Sequence, residues 1–136
     1  MQVHLVDGTY ELYRQHFGQA TRHSDPPPFA GTIGVLTSTI QLLQDGATHI
    51  GVATDHVIES FRNDLYDGYK TSEGMEPVLL EQIPILEDAL RAMGVTVWAM
   101  EKYEADDALA SAAAVACEDR TVHKVLILTP DKDLGQ

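Results

Sequence analysis

Four short apolar runs punctuate the chain, Val3–Val6, His49–Ala53, Val95–Ala99 and Lys124–Leu128, each followed by polar residues. Runs of this length, rich in Val, Ile and Leu, read as strands. The intervening segments carry helical spacing instead. Thr9–Phe17 mixes aromatic and polar residues and starts a first helix. Over Phe29–Gln44 the residues Ile33, Leu36, Ile40 and Leu43 recur every three or four positions and predict a second, with Gly46 as its stop. Pro77 opens a third that runs to about Met93 on an apolar face of Leu80, Ile83, Leu86 (or Leu90) and Met93, with Gly94 beyond. Pro84 falls inside it and predicts a kink or break. Glu104–Asp119 reads as an alanine-rich fourth helix. His23–Pro28 reads as a stiff, proline-rich loop. The stretch from Asp55 to Glu76 is polar and aperiodic; a loop of that length in a compact domain is functional or mobile.

Strands alternating with helices predict an α/β fold: a parallel β-sheet flanked by helices, joined by right-handed crossovers. With 136 residues, the whole chain reads as a single domain, residues 1–136. In such sheets ligands bind outside the carboxyl ends of the strands. Acids gather at that edge. Asp7 follows the first strand and Asp55 the second; Glu104, Asp106 and Asp107 come shortly after the third, and Asp131 and Asp133 after the fourth. Taken singly, each has a plain explanation, because Asp favours turns and acids cap helix N-termini. Seven acids at four strand ends are too concentrated for independent turns. Crowded like charges repel, and a divalent cation relieves them.

The donor set then narrows the ion. It contains only carboxylate oxygen, which suits Mg²⁺ (Mg2+) or Mn²⁺ rather than zinc, and so many acids suggest two ions. Paired ions about 4 Å apart stabilise attacking and leaving oxygens in phosphoryl transfer. The aperiodic loop supplies the complement. Arg62 and Lys70, beside Tyr66 and Tyr69, pair phosphate-gripping cations with rings that stack on bases.

Composition adjusts this picture at four points. The net charge of −12 opposes general binding to nucleic acid, although ions would neutralise part of it. No apolar run approaches the ~20 residues of a membrane span and the N-terminus lacks a basic leader, so a soluble, cytoplasmic protein with no membrane partner is expected. The single cysteine, Cys117, lies among alanines and reads as a small buried hydrophobe. The six histidines are scattered without zinc-like spacing.

Four motifs carry a family resemblance: Leu5-Val6-Asp7-Gly8; Ser60-Phe61-Arg62 with Gly68-Tyr69-Lys70; Tyr103-Glu104-Ala105-Asp106-Asp107; and Thr129-Pro130-Asp131-Lys132-Asp133-Leu134. Together they resemble the 5′-nuclease family, which includes the 5′→3′ exonuclease domain of bacterial DNA polymerase I and the flap endonucleases. The resemblance implies a PIN-like (Rossmann-like) fold and metal-dependent hydrolysis of DNA near a 5′ end or flap. It also implies that Asp7, Asp55, Glu104 and Asp106 serve a first ion, with Asp107 in support. Asp131 and Asp133 would serve mainly a second, and Arg62 and Lys70 would steer the scissile phosphate.

Three departures from the family pattern stand out. The chain stops at Gln136, before further aspartates and a helix-hairpin element that grips duplex DNA, so a C-terminally truncated domain is expected. Thr71–Glu76 is acidic where the family is basic, and Thr54 replaces an aromatic residue. Three rival readings follow. A haloacid-dehalogenase-type phosphatase would need its nucleophilic aspartate where Leu5 stands. A PIN-type ribonuclease uses the same acids on RNA. A non-catalytic binding domain would keep the metal site as a relic. Oligomeric state is open.

Overall fold

The computed structural model describes residues 1–22, 28–57 and 77–130, the side chains of residues 19–22 excepted. In chain order these form β1 (Gln2–Asp7), α1 (Gly8–Arg22), α2 (Ala30–Gln44), β2 (His49–Asp55), α3 (Pro77–Ala92), β3 (Thr96–Met100), α4 (Ala105–Glu118) and β4 (Lys124–Leu128). The strands form one parallel sheet in the order β3-β2-β1-β4. The chain therefore steps outward from β1 to β3, then returns to place β4 on β1's other side. That reversal puts the topological switch point at the carboxyl end of β1.

Alternation along the strands feeds two cores. Val6, Ile50 and Val52 face a layer built from Leu12 of α1, Val35 of α2 and Leu79, Ile83, Leu86 and Leu90 of α3. Leu5 and Ala53 face the other way, onto Ala105 and Leu109 of α4, with Val125, Ile127 and Trp98 alongside. Gly51 makes room for Trp98: a Cβ there would lie 2.5 Å from the indole. Gly46 and Gly94 have φ of +111° and +85°, the left-handed conformation that closes a helix at little cost to glycine.

The structure refines the sequence reading at three points and corrects it at a fourth, Cys117. The spacing that identifies α2 does not mark its buried side: Ala30, Gly31, Thr32, Val35 and Thr39 face inward, while Ile33, Ile40 and Leu43 are exposed. The reason is the close approach of α1, since a Cβ on Gly31 would meet Leu12 and His16 at 3.1 Å, and one on Gly34 would meet Gln15 at 2.5 Å. Only the small side of α2 fits there, and its polar groups are satisfied: Gln82 Oε1 accepts from the Thr32 N–H and hydroxyl, and Thr39 donates to Val35 C=O. In α3 the buried stripe is Leu79, Gln82, Ile83, Leu86, Glu87 and Leu90, with Leu80 partly buried and Met93 at the surface. That helix runs unbroken through Pro84, whose ring lies on the exposed side. Cys117 is exposed, because burial on α4 is confined to Ala105 and Leu109 and is lost toward its far end.

Candidate functional site at the carboxyl edge of the sheet

β1 and β2 each end on an acid within the strand: Asp7 pairs in register with Ala53, and Asp55 with Met100. Both side chains share a face with Leu5 and Ala53, toward α4. Gly8 makes the exit from β1 possible. A Cβ at that position would lie 2.6 Å from Val52 Cγ1 and 3.0 Å from Thr54 Cγ2. The Asp-Gly pair is therefore an acid followed by the one residue that lets the chain turn into α1 against β2.

Asp7, Asp55 and Glu104 are all buried, and hydrogen bonds tie them into one edge. The Asp7 carboxylate accepts from the Tyr10 N–H at 3.0 Å, capping α1. Thr9, in the same turn, accepts the Asp55 N–H at 2.8 Å. Asp55 in turn accepts the Ala105 N–H at 2.9 Å, so the acid at the end of β2 holds the first turn of α4. Glu104 caps that helix, and Asp107 accepts the Glu104 N–H at 2.8 Å. Asp106 and Asp107 lie half-buried in the first turn. Two helix N-termini, with their partial positive charge, thus face one group of carboxylates and offset part of its repulsion.

The structure brings Asp7, Asp55, Glu104, Asp106 and Asp107 to one edge. Arg62, Lys70, Asp131 and Asp133 lie outside the described residues, as does the loop with Tyr66 and Tyr69. Among the described residues no three of His, Cys, Asp or Glu gather closely enough to hold a metal ion. The donor chemistry suits a hard cation; the described residues alone do not complete its ligand set. A cleft of about 990 Å³ starts beside Tyr103 and Asp107 and follows α4 past Trp98 to Met1 and His49. Its lining is mostly apolar, so it is no cradle for phosphate.

A buried cluster behind β2 escapes the sequence reading. Glu87 of α3 accepts a short hydrogen bond from the Thr54 hydroxyl, and its other oxygen lies 2.7 Å from His56 Nδ1. One carboxylate thus grips the residues on either side of Asp55, which itself points to the opposite face. The available signal was an acid at helical spacing between Ile83 and Leu90 on a face that is apolar apart from Gln82.

The family model for the 5′-3′ exonuclease N-terminal, resolvase-like domain matches residues 2–136. The chain belongs to that exonuclease family. It is 33% identical to DNA polymerase I of Rhizobium leguminosarum over 97% of its length, and 32% identical to the thermostable DNA polymerase I of Thermus aquaticus over 99%. It spans only 14% and 16% of those polymerases. A solved T5 5′-exonuclease with bound divalent metal ions (zinc) shares the exonuclease-domain fold, with a TM-score of 0.67, 19% identity and coverage of 99% of this chain and 51% of that one. Among the described residues of this family member, no helix is long and apolar enough to cross a membrane.

Proposed function

We propose that this chain is a divalent-metal-dependent 5′→3′ nuclease domain that hydrolyses DNA phosphodiesters near a 5′ end or flap. The observation that carries the reading is the convergence of buried Asp7, Asp55 and Glu104 on one edge, beside the switch point of a parallel sheet. Asp7, Asp55, Glu104 and Asp106 would hold or orient a first Mg²⁺ or Mn²⁺, with Asp107 fixing Glu104 through its backbone. Asp131 and Asp133 would serve a second. When bound, such ions stabilise charge on the attacking and leaving oxygens. Arg62 and Lys70 grip the phosphate, which neutral side chains at those positions would not do. Asp55 sets the orientation of α4's first turn, and so of Glu104 and Asp106, through the Ala105 N–H.

A second reading has its own support. Asp7, Asp55 and Asp107 already accept backbone N–H groups as helix caps, which is what a non-catalytic domain would also need of them. One experiment separates the two. The protein is incubated with 5′-flap DNA, single-stranded RNA and a phosphomonoester, in Mg²⁺, Mn²⁺ or chelator, beside Asp106→Asn. Metal-dependent cutting of the flap that the variant loses supports the nuclease. Cutting of RNA alone would make it a ribonuclease. Cutting of no substrate in any metal would leave the capping role.

A further inference from the structure

In the motif spanning residues 103–107, every residue but the first already has a task at the site. Glu104, Asp106 and Asp107 bring carboxylates, and buried Ala105 gives its N–H to Asp55. Tyr103 is 49% exposed, an aromatic ring in water immediately before buried Glu104. The backbone fixes it there. β3 ends at Met100, which pairs in register with Asp55 and whose C=O accepts the Val57 N–H at 3.1 Å. Glu104 then caps α4. The connection 101–103 is therefore tied at both ends to the edge that carries the acids. Lys102 Nζ lies 6.0 Å from the Tyr103 ring centroid, the outer reach of a cation–π contact. In a chain with 21 Asp or Glu and 9 Lys or Arg, that cation stands out. Arg14 and Arg91 each pair with an acid of their own helix, whereas Lys102 lies over an aromatic ring. Tyr103 and Asp107 also open the cleft along α4, with Trp98 and Met100 on its wall.

We propose that Tyr103 and Lys102 form a substrate contact: the ring stacks on an unpaired nucleobase next to the scissile phosphodiester, and the ammonium meets an adjoining phosphate. The inference rests on the nuclease reading and deepens it, because it names the kind of nucleotide the site takes hold of. A ring beside a cation is what single-strand engagement uses, since every base has a π-face and every linkage a negative charge. A base within a duplex is already stacked and paired, and freeing it costs energy. The contact therefore selects an unpaired nucleotide at the cut. The mostly apolar cleft wall suits the face of a base and leaves the backbone to Lys102. Stacking also suits a protein of net charge −12, because it holds a nucleic acid without relying on phosphate neutralisation.

Fluorescence anisotropy of a labelled 5′-flap DNA tests this, with Ca²⁺ in place of Mg²⁺ as a hard cation taken by the same oxygen donors. Cutting is read separately in Mg²⁺. Tyr103→Leu should raise both Kd and KM about five- to a hundredfold and leave kcat unchanged, as the loss of uniform binding requires. Tyr103→Phe keeps the ring and should behave as the parent. An abasic nucleotide is then moved through the flap junction. At the contacted position it should weaken binding by the parent and make Tyr103→Leu silent, because the ring has lost its partner. Lys102→Gln should lower the slope of log affinity against log salt by about 0.7. Mn²⁺ affinity should match the parent's in every variant, since no acid is altered. If Tyr103→Leu costs as much at every abasic position as on intact DNA, or lowers Mn²⁺ affinity, the proposal is overturned. An unchanged salt slope overturns the part given to Lys102. A parent that binds and cuts the flap no better than Tyr103→Leu sinks the stacking contact and leaves the nuclease standing. A parent that neither binds nor cuts sinks the nuclease reading and this contact with it.

Discussion

Glu87 offers the sharpest test of how the site edge is held. It is 1% exposed, as is Thr54, whose hydroxyl it accepts, whereas the second partner, His56, is partly in water. Glu87→Leu keeps the volume but strands the Thr54 hydroxyl, at about 1–3 kcal/mol for a buried polar group without a partner. The lost His56 contact adds under about 1 kcal/mol, since that ring is solvated. The net expectation is a loss of about 2 kcal/mol. Thr54→Val alone leaves a buried carboxylate short of a donor and should cost a similar amount. Combining them removes both ends of the bond, and the double variant should return to within about 1 kcal/mol of the parent. Urea unfolding followed by circular dichroism measures all four stabilities, read as midpoint shifts at constant slope. A local readout accompanies this. The Ala105 N–H, bonded to Asp55, should exchange with solvent faster in Glu87→Leu even where global stability has been matched. Additive losses in the double variant, or unchanged exchange at Ala105, would refute the claim that this carboxylate anchors the end of β2.

Three further outcomes are expected. His4 Nδ1 is the only buried side-chain polar atom without a partner among the described residues, so His4→Leu should raise stability by about 1 kcal/mol in the same urea assay; a loss would mean that the ring is bonded in solution. Gly8→Ala drives a Cβ into Val52 and Thr54 and should cost about 1–3 kcal/mol, and a thermal midpoint equal to the parent's would show that β2 yields there. Asp119 has its carboxyl held below the usual range, first by the Thr121 hydroxyl and then by the Thr121 N–H. Its contribution is therefore present above the ordinary aspartate pKa and lost as pH falls through the depressed one; Asp119→Asn should flatten the acid limb of the stability profile, and an identical limb would contradict that.

The parallel sheet was legible because each strand is a short, mainly apolar run, and the helix ends because Gly46 and Gly94 sit where a left-handed residue is needed. What periodicity did not reveal was which side of a helix is buried. In α2 the determinant is the pair Gly31 and Gly34, which let α1 approach so closely that the large residues are turned outward. In α3 the obstacle was polarity: Gln82 and Glu87 belong to the core because Thr32, Thr54 and His56 satisfy them, and those partners lie 31 to 50 residues away in sequence. Spacing along a helix cannot show a bond to a distant strand.

The acids pose the opposite case, where residue type indicated the place and left the role divided between helix cap and site. The geometry shows that the two roles are compatible. Asp7 caps α1 and Asp55 accepts from the first turn of α4, and those bonds are what fix both acids at the edge. A carboxylate bound to a helix N-terminus is rigid and faces a partial positive charge, so it can stay buried beside its neighbours at lower electrostatic cost. Capping is thus a means of assembling a group of acids. It follows that substitutions at the cap partners should disturb the group as a whole. Thr9→Val, which removes the acceptor of the Asp55 N–H, changes no carboxylate itself, yet it should loosen the α4 end of the acid group as well as its own.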